Sequence, residues 1–195
     1  MDAGLISILF GGYLMGAIPF GVIISRLFGL GDLTQIGSGN IGATNVLRTG
    51  NKKAAALTLA LDILKGLLAV VLAKALAPDP AYLVAGFGAF IGHLFPFWLG
   101  FKGGKGVATF LGVTIGVSFF AGLIACATWL VVAALSRISS VAALVAASTA
   151  PIWLFLLVGP GAALLGLAMA ILLTIRHAAN INRLRRGEEP KIGQS

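Results

Sequence analysis

The sequence predicts an all-α fold, a polytopic membrane bundle of seven transmembrane helices in one integral membrane domain spanning 1–195. Three observations predict it. Hydrophobic residues make up 58% of the chain and charged residues only 10%, with a mean hydropathy of +1.02, which excludes an ordinary soluble domain. Long uncharged runs are separated by glycine- and proline-rich turns. The basic residues, which set a net charge of +8, gather at the ends of those runs. That pattern orients a membrane protein and does not call for nucleic acid as a partner.

Each element follows from the chain in order. Met1-Asp2-Ala3-Gly4 carries no basic region, so Leu5 to Leu27 is expected as the first span and not as a cleaved signal. Gly11, Gly12, Gly16 and Pro19 interrupt it, as membrane helices tolerate where neighbours pack closely. A polar segment from Gly29 to Lys53 follows, and within it Ser38 to Arg48 is too rich in hydroxyls, amides and glycines for a simple connector. The second span, Ala54 to Ala77, carries Asp62 and Lys65 one helical turn apart, a spacing at which they can pair. After Pro78-Asp79-Pro80 the third span runs from Ala81 to Leu99.

The apolar stretch from Val107 to Leu135 is too long for one upright crossing of ~20 residues and short for two. Parity decides between them. One crossing would put Arg176, Arg183, Arg185, Arg186 and Lys191 opposite the loops bearing Arg48, Lys52, Lys53, Lys102 and Lys105. Two crossings, broken between Gly116 and Gly122, place every basic cluster and Arg137 on one side, which is then the cytoplasm. The sixth span, Val141 to Val158, and the seventh, Ala162 to Ile175, turn at Gly159-Pro160-Gly161. The N-terminus is therefore expected outside with Asp2 and Asp79, and the C-terminus in the cytoplasm.

The densest chemical signal is Gly92-His93-Leu94-Phe95-Pro96, continuing to Phe101-Lys102-Gly103-Gly104-Lys105-Gly106-Val107-Ala108-Thr109. Glycines let backbone N–H groups approach an anion, and the start of the next helix adds free donors and a positive dipole end. The Walker pattern is absent, since Val107 stands where it requires Ser or Thr. A basic loop between two membrane helices is the plainer alternative. Ser38 to Arg48, Lys102 to Thr109 and Arg176 to Arg183 then share one membrane face, and together they hold cations, hydroxyls, amides and one histidine but no carboxylate. That set suits a dianionic phosphate. It is a poor set for a divalent metal, whose hard-oxygen ligands are usually carboxylates. Cys126, the single cysteine, excludes an intrachain disulfide.

These three segments resemble the signature motifs of the bacterial acylphosphate-dependent glycerol-3-phosphate acyltransferases, the PlsY family. The first is similar to that family's GSGNxGATN motif ending in an arginine, the second to its GHxxPxxxxFKGGKGVAT motif and the third to its RHxxNxxRL motif, with Ala178-Ala179 standing where polar residues are expected. The likeness runs from Gly16-Ala17-Ile18-Pro19 through Leu61-Asp62-Ile63-Leu64-Lys65-Gly66 to Leu184. The resemblance implies transfer of a fatty acyl group from acyl phosphate to the 1-hydroxyl of glycerol 3-phosphate, giving lysophosphatidic acid and inorganic phosphate, the first acylation of phospholipid synthesis. It also implies a bacterial inner-membrane protein with its site at the cytoplasmic face, no cofactor and no metal, membrane lipids as surroundings and a monomeric state.

By motif matching, the catalytic residues are Ser38, Arg48, Lys105, His177 and Asn180. The substrate-binding set adds Gly39, Asn40, Thr44, Asn45, Lys102, Gly103 and Gly104. Ser38 and Asn40 would also serve as turn or capping residues. Lys52, Lys53, Lys191 and the arginines after His177 are expected at lipid headgroups, and His93 in a structural role. Asp62 and Lys65 are expected to neutralise each other within the bundle, although ionisable residues inside a membrane are functional candidates by default. His177 is the one conventional base in the three polar segments, but a phosphate oxygen of the donor is the favoured proton acceptor. No serine or cysteine nucleophile is indicated. A transporter of phosphorylated solutes is the rival class, against which stand the absence of an evident repeat and the gathering of polar motifs at one face.

Overall fold

In the computed structural model, residues 3–193 are described, and among them the chain is entirely helical apart from its loops. Asp2 and Gln194 lie outside the described residues. Ten α-helices follow in order: α1 Ala3–Gly16, α2 Phe20–Leu27, α3 Ala43–Leu47, α4 Lys52–Leu76, α5 Ala81–Leu94, α6 Val107–Val117, α7 Phe119–Ser136, α8 Ser139–Leu157, α9 Pro160–Arg176 and α10 Ala178–Arg186.

The first expected span is two helices, because Pro19 at the junction has no N–H to continue the ladder of α1 into α2. The stretch from Val107 to Leu135 is likewise two helices, parted at Ser118, whose hydroxyl accepts from the N–H of Ala121 and caps α7. Five stretches are long and apolar enough to cross a bilayer, and a sixth if α9 and α10, bent by 60° at His177, are taken together. Helix α6 has 11 residues. At ~1.5 Å of rise per residue it spans roughly half of a ~30 Å hydrocarbon core. Most of its residues are buried inside protein, so this short helix is held by neighbours and not by lipid.

Packing depends on small residues, as membrane bundles without a hydrophobic drive between helices require. Gly12 and Gly16 of α1 face the backbone of Ala85 and Ala89 on α5, while Gly88 and Gly92 of α5 face the backbone of Leu9 and Tyr13. A methyl group at any of the four would run into main-chain atoms. Gly66 of α4 and Gly112 of α6 make the same reciprocal approach, to Thr109 and Ile63. The main core lies among α4 to α9, around Val70, Phe90, Leu94, Phe110, Val113, Leu154, Met169 and Leu173. Large apolar residues such as Phe10, Leu76, Phe120, Leu135 and Phe155 stay exposed on the outside. In a bilayer that surface is solvated by lipid.

Helix α10 was not expected. The polar segment from Arg176 to Arg183 forms the end of α9, a sharp bend and the start of an amphipathic helix.

Candidate active site

The loops at one end of the bundle converge on a cavity of about 850 Å³. Its polar lining includes Ser38, Asn40, Thr44, Arg48, Lys105, His177 and Asn180, drawn from all three polar segments. Its wall continues from Lys52 through Ala55, Leu59 and Ile63 along three turns of α4 and from Gly106 to Leu111 along α6, with Cys126, Trp129 and Leu130 on α7. The cavity is therefore polar at the helix starts and apolar further along, between α4 and α7 over a floor of α6.

The first segment is a loop built around Asn45, which is 2% exposed. Its Oδ1 accepts from the N–H of Ser38 at 3.0 Å and from the Ser38 hydroxyl at 3.4 Å, and its Nδ2 donates to the carbonyl of Leu33 at 2.9 Å. Asn45 thus holds Ser38 in place while itself lining the cavity. Asn40 uses its Oδ1 to accept from the N–H of Gly42, shaping the turn before α3. Thr44 meets the hydroxyl of Ser139 at 3.3 Å. Gly39, with φ of +67°, supplies the left-handed turn between Ser38 and Asn40 and is not in the cavity wall.

The second segment differs most from expectation. Gly103 and Gly104 do not offer their amides to the cavity. Gly103 donates to the carbonyl of Leu94 at 3.1 Å and Gly104 to that of His93 at 3.0 Å, closing the end of α5. From the other side Arg176 donates to both glycine carbonyls, at 2.9 Å to Gly103 and 3.2 Å to Gly104. The glycine pair is a clamp for the backbone, and the free donors come one turn later, where no side chain caps the start of α6. Lys102 is exposed and outside the cavity wall. Lys105 does line it, and its pKa is pushed from 10.5 to about 8 by burial first and then by the Arg183 guanidinium; Glu189 opposes this, and Arg48 and Arg176 add weaker downward pushes.

In the third segment the buried His177 places Nδ1 at 2.8 Å from the carbonyl of Leu173. A carbonyl only accepts, so in the neutral ring Nδ1 carries the proton and Nε2 presents a lone pair. Asn180 donates through Nδ2 to Glu189, which leaves its buried Oδ1 without a partner among the described residues.

Glu189, Ser139 and Ser140 are the site residues that sequence reasoning misses. The Glu189 carboxylate also accepts from the Ser140 hydroxyl and from Nε of Arg183, each at 2.7 Å. Burial works to raise its pKa, but the donors Asn180, Ser140 and Arg183 outweigh this and hold it below the ordinary carboxylate value. The tail after α10 returns across the site, tied by the N–H of Ile192 to the carbonyl of Arg137. Lys191 and Lys52, expected only at lipid headgroups, line the cavity too. The available signal was the Ser139-Ser140 pair on the same face as the three motifs and the isolated Glu188-Glu189 after a basic run.

Fold and site together define an integral membrane protein that gathers cations and hydrogen-bonding groups beside an apolar groove. A family model described as glycerol-3-phosphate acyltransferase matches residues 6–187. Curated relatives of the same name include one from Cereibacter sphaeroides, 54% identical over 100% of this chain and 94% of its own. Another, from Mesorhizobium japonicum, is 58% identical over 99% of this chain and 98% of its own. The crystal structure of PlsY (YgiH), an integral membrane glycerol 3-phosphate acyltransferase, in its glycerol 3-phosphate form superposes with a TM-score of 0.91 at 38% identity, covering 98% of this chain and 96% of that one. Its lysophosphatidic acid form gives 0.88 at 36% identity, with the same coverage. The chain belongs to the glycerol-3-phosphate acyltransferase family.

Proposed function

We propose that this protein is a glycerol-3-phosphate acyltransferase that takes its acyl group from acyl phosphate and transfers it to the 1-hydroxyl of glycerol 3-phosphate. The products are lysophosphatidic acid and inorganic phosphate. The observation that carries the reading is the continuity of one cavity from Ser38, Arg48, Lys105, His177 and Asn180 into the apolar wall of Ala55, Leu59, Ile63, Leu111 and Leu130. Substrates with a phosphate and a fatty chain need both surfaces at once.

The donor set divides by chemistry. Arg48, Lys105, the Ser38 hydroxyl and the first-turn amides of α6 suit phosphate oxygens, with Asn40 and Thr44 at the edge of the set. His177 Nε2 and Asn180 Oδ1 are acceptors, so they suit the hydroxyl protons of the glycerol moiety better than a phosphate. In the reaction the 1-hydroxyl oxygen attacks the acyl carbonyl carbon and a new ester bond forms. The bond from that carbon to the phosphate oxygen breaks, phosphate leaves with the electron pair, and a phosphate oxygen takes the hydroxyl proton. Lys105 and Arg48 stabilise the growing charge on the leaving phosphate.

The same reading completes the topology: one domain over 1–195, seven spans with α6 and α7 as the fourth and fifth, N-terminus outside and C-terminus in the cytoplasm. The site then faces the cytoplasm of the bacterial inner membrane, and one chain suffices. Purified protein given acyl phosphate and glycerol 3-phosphate should release phosphate only when both are present.

A further inference from the structure

A buried charged cluster reaches the cavity wall through Asp62 and His93 and has no task in the reaction above. Asp62 and Lys65 of α4 are 2% and 4% exposed, and the Lys65 ammonium stands 2.6 Å from the Asp62 carboxylate. Nδ1 of His93 on α5, itself 5% exposed, lies 3.6 Å from the same carboxylate oxygen. Lys65 also donates to the carbonyl of Ile18 at 2.8 Å, in the break between α1 and α2, and the Thr109 hydroxyl of α6 donates to the main-chain carbonyl of Asp62 at 3.2 Å. Desolvating such charges costs more than an apolar replacement would, so stability alone does not account for them.

The far edge of the His93 ring is packed against Gly104. A methyl group built on Gly104 would overlap Nε2 of His93 and come within 2.8 Å of Cε1 and 3.0 Å of Cδ2. The N–H of Gly104 is already fixed by the His93 carbonyl and its own carbonyl by Arg176. Gly104 immediately precedes Lys105, so the backbone that aims the lysine rests on the imidazole.

We propose that His93 is a positioning residue for Lys105: its ring, oriented by the Asp62–Lys65 pair, is the seat on which Gly104 packs, and this seat sets where the lysine ammonium enters the cavity. The inference rests on the reading of Lys105 as a phosphate ligand.

Phosphate release measured on His93→Ala, Gly104→Ala and the double variant tests it. Each single change should lower kcat/KM by about tenfold or more, chiefly through KM for the phosphate substrates, since loss of alignment is costly even without loss of a contact. The double variant should recover at least tenfold over Gly104→Ala, because the methyl fills the space the ring has left. In a Lys105→Ala background His93→Ala should cost nothing further. Multiplying effects in the double variant, or a further tenfold loss in the Lys105→Ala background, would overturn the proposal. His93→Gln covers a His93→Ala protein that fails to fold: it should lose less in KM, and an unchanged KM there also overturns the seat. Wild-type protein that releases no phosphate marks failure of the acyltransferase reading instead. In that case the packing itself is read by thermal unfolding, where the double variant must be more stable than Gly104→Ala or the seat is also refuted.

Discussion

Asn180 donates a hydrogen bond to Glu189, so the amide of one motif residue is fixed by a carboxylate from the returning tail. The same carboxylate accepts from Ser140 and Arg183, and this joins α8, α10 and the tail into one frame around the cavity. Removing it leaves an amide and a guanidinium without their acceptor, and a lost charged hydrogen bond costs about 1.5–3 kcal/mol. Glu189→Ala is expected to lower unfolding stability by about 2–4 kcal/mol, measured by thermal denaturation in detergent. An unchanged melting temperature would remove Glu189 from this role.

The pH dependence of that frame has a definite sign. The folded pKa of Glu189 is held below the ordinary glutamate value of 4.5 by its donors. Its contribution is therefore fully present above the unfolded value and is lost as pH falls through the folded one. The stability difference between wild type and Glu189→Gln should narrow on acidification below about pH 4.5 and stay constant from pH 6 to 8. A difference that widens towards low pH contradicts the assignment.

Lys105→Ala should reduce turnover by about 10²-fold or more, by analogy with removing an electrostatic donor to a developing anion. Lys105→Arg should rescue poorly, because the planar guanidinium does not replace a compact ammonium. Lys53→Ala, outside the cavity wall, is the control expected near wild type. Near-normal turnover of well-folded Lys105→Ala would show that the decisive charge lies elsewhere.

Because the free-enzyme pKa of Lys105 is about 8, its cation is present below that pH and is lost above it. The apparent KM for glycerol 3-phosphate or acyl phosphate should therefore rise by about tenfold per pH unit above pH 8, and Lys105→Arg should flatten that limb. A wild-type KM that stays level from pH 7 to 10 would exclude Lys105 as the titrating ligand.

Much of this was legible in the sequence, for physical reasons that particular residues make plain. The break at Ser118 falls inside an apolar stretch whose length is too great for one upright crossing of the bilayer. The convergence of Ser38, Arg48, Lys105 and His177 follows from parity and donor chemistry, since groups that bind the same anion must share a face. The fine division of labour was not legible. Asn45 and Gly104 carry the residue types of an anion site, but their hydrogen bonds close on Ser38, Leu33 and His93, partners set by tertiary structure. Glu189 lies nine residues beyond Asn180 and reaches it only because α10 bends by 60° from α9 and the tail folds back.

Topology is open to direct labelling. In a Cys126→Ala background, Asp79→Cys should react with a membrane-impermeant thiol reagent in intact cells, and Lys53→Cys should react only after the membrane is opened. The reverse pattern would refute the seven-span orientation.

The central claim is that acyl phosphate is the donor and that this chain's own cations, hydroxyls and amides handle its phosphate. The most direct measurement supplies purified protein with acyl phosphate and glycerol 3-phosphate, without coenzyme A, acyl carrier protein or added metal and in excess chelator, and follows phosphate and lysophosphatidic acid together. The account predicts equimolar formation of both, at a rate the chelator does not change. Activity that requires a thioester donor, or that chelator abolishes and magnesium restores, would contradict it.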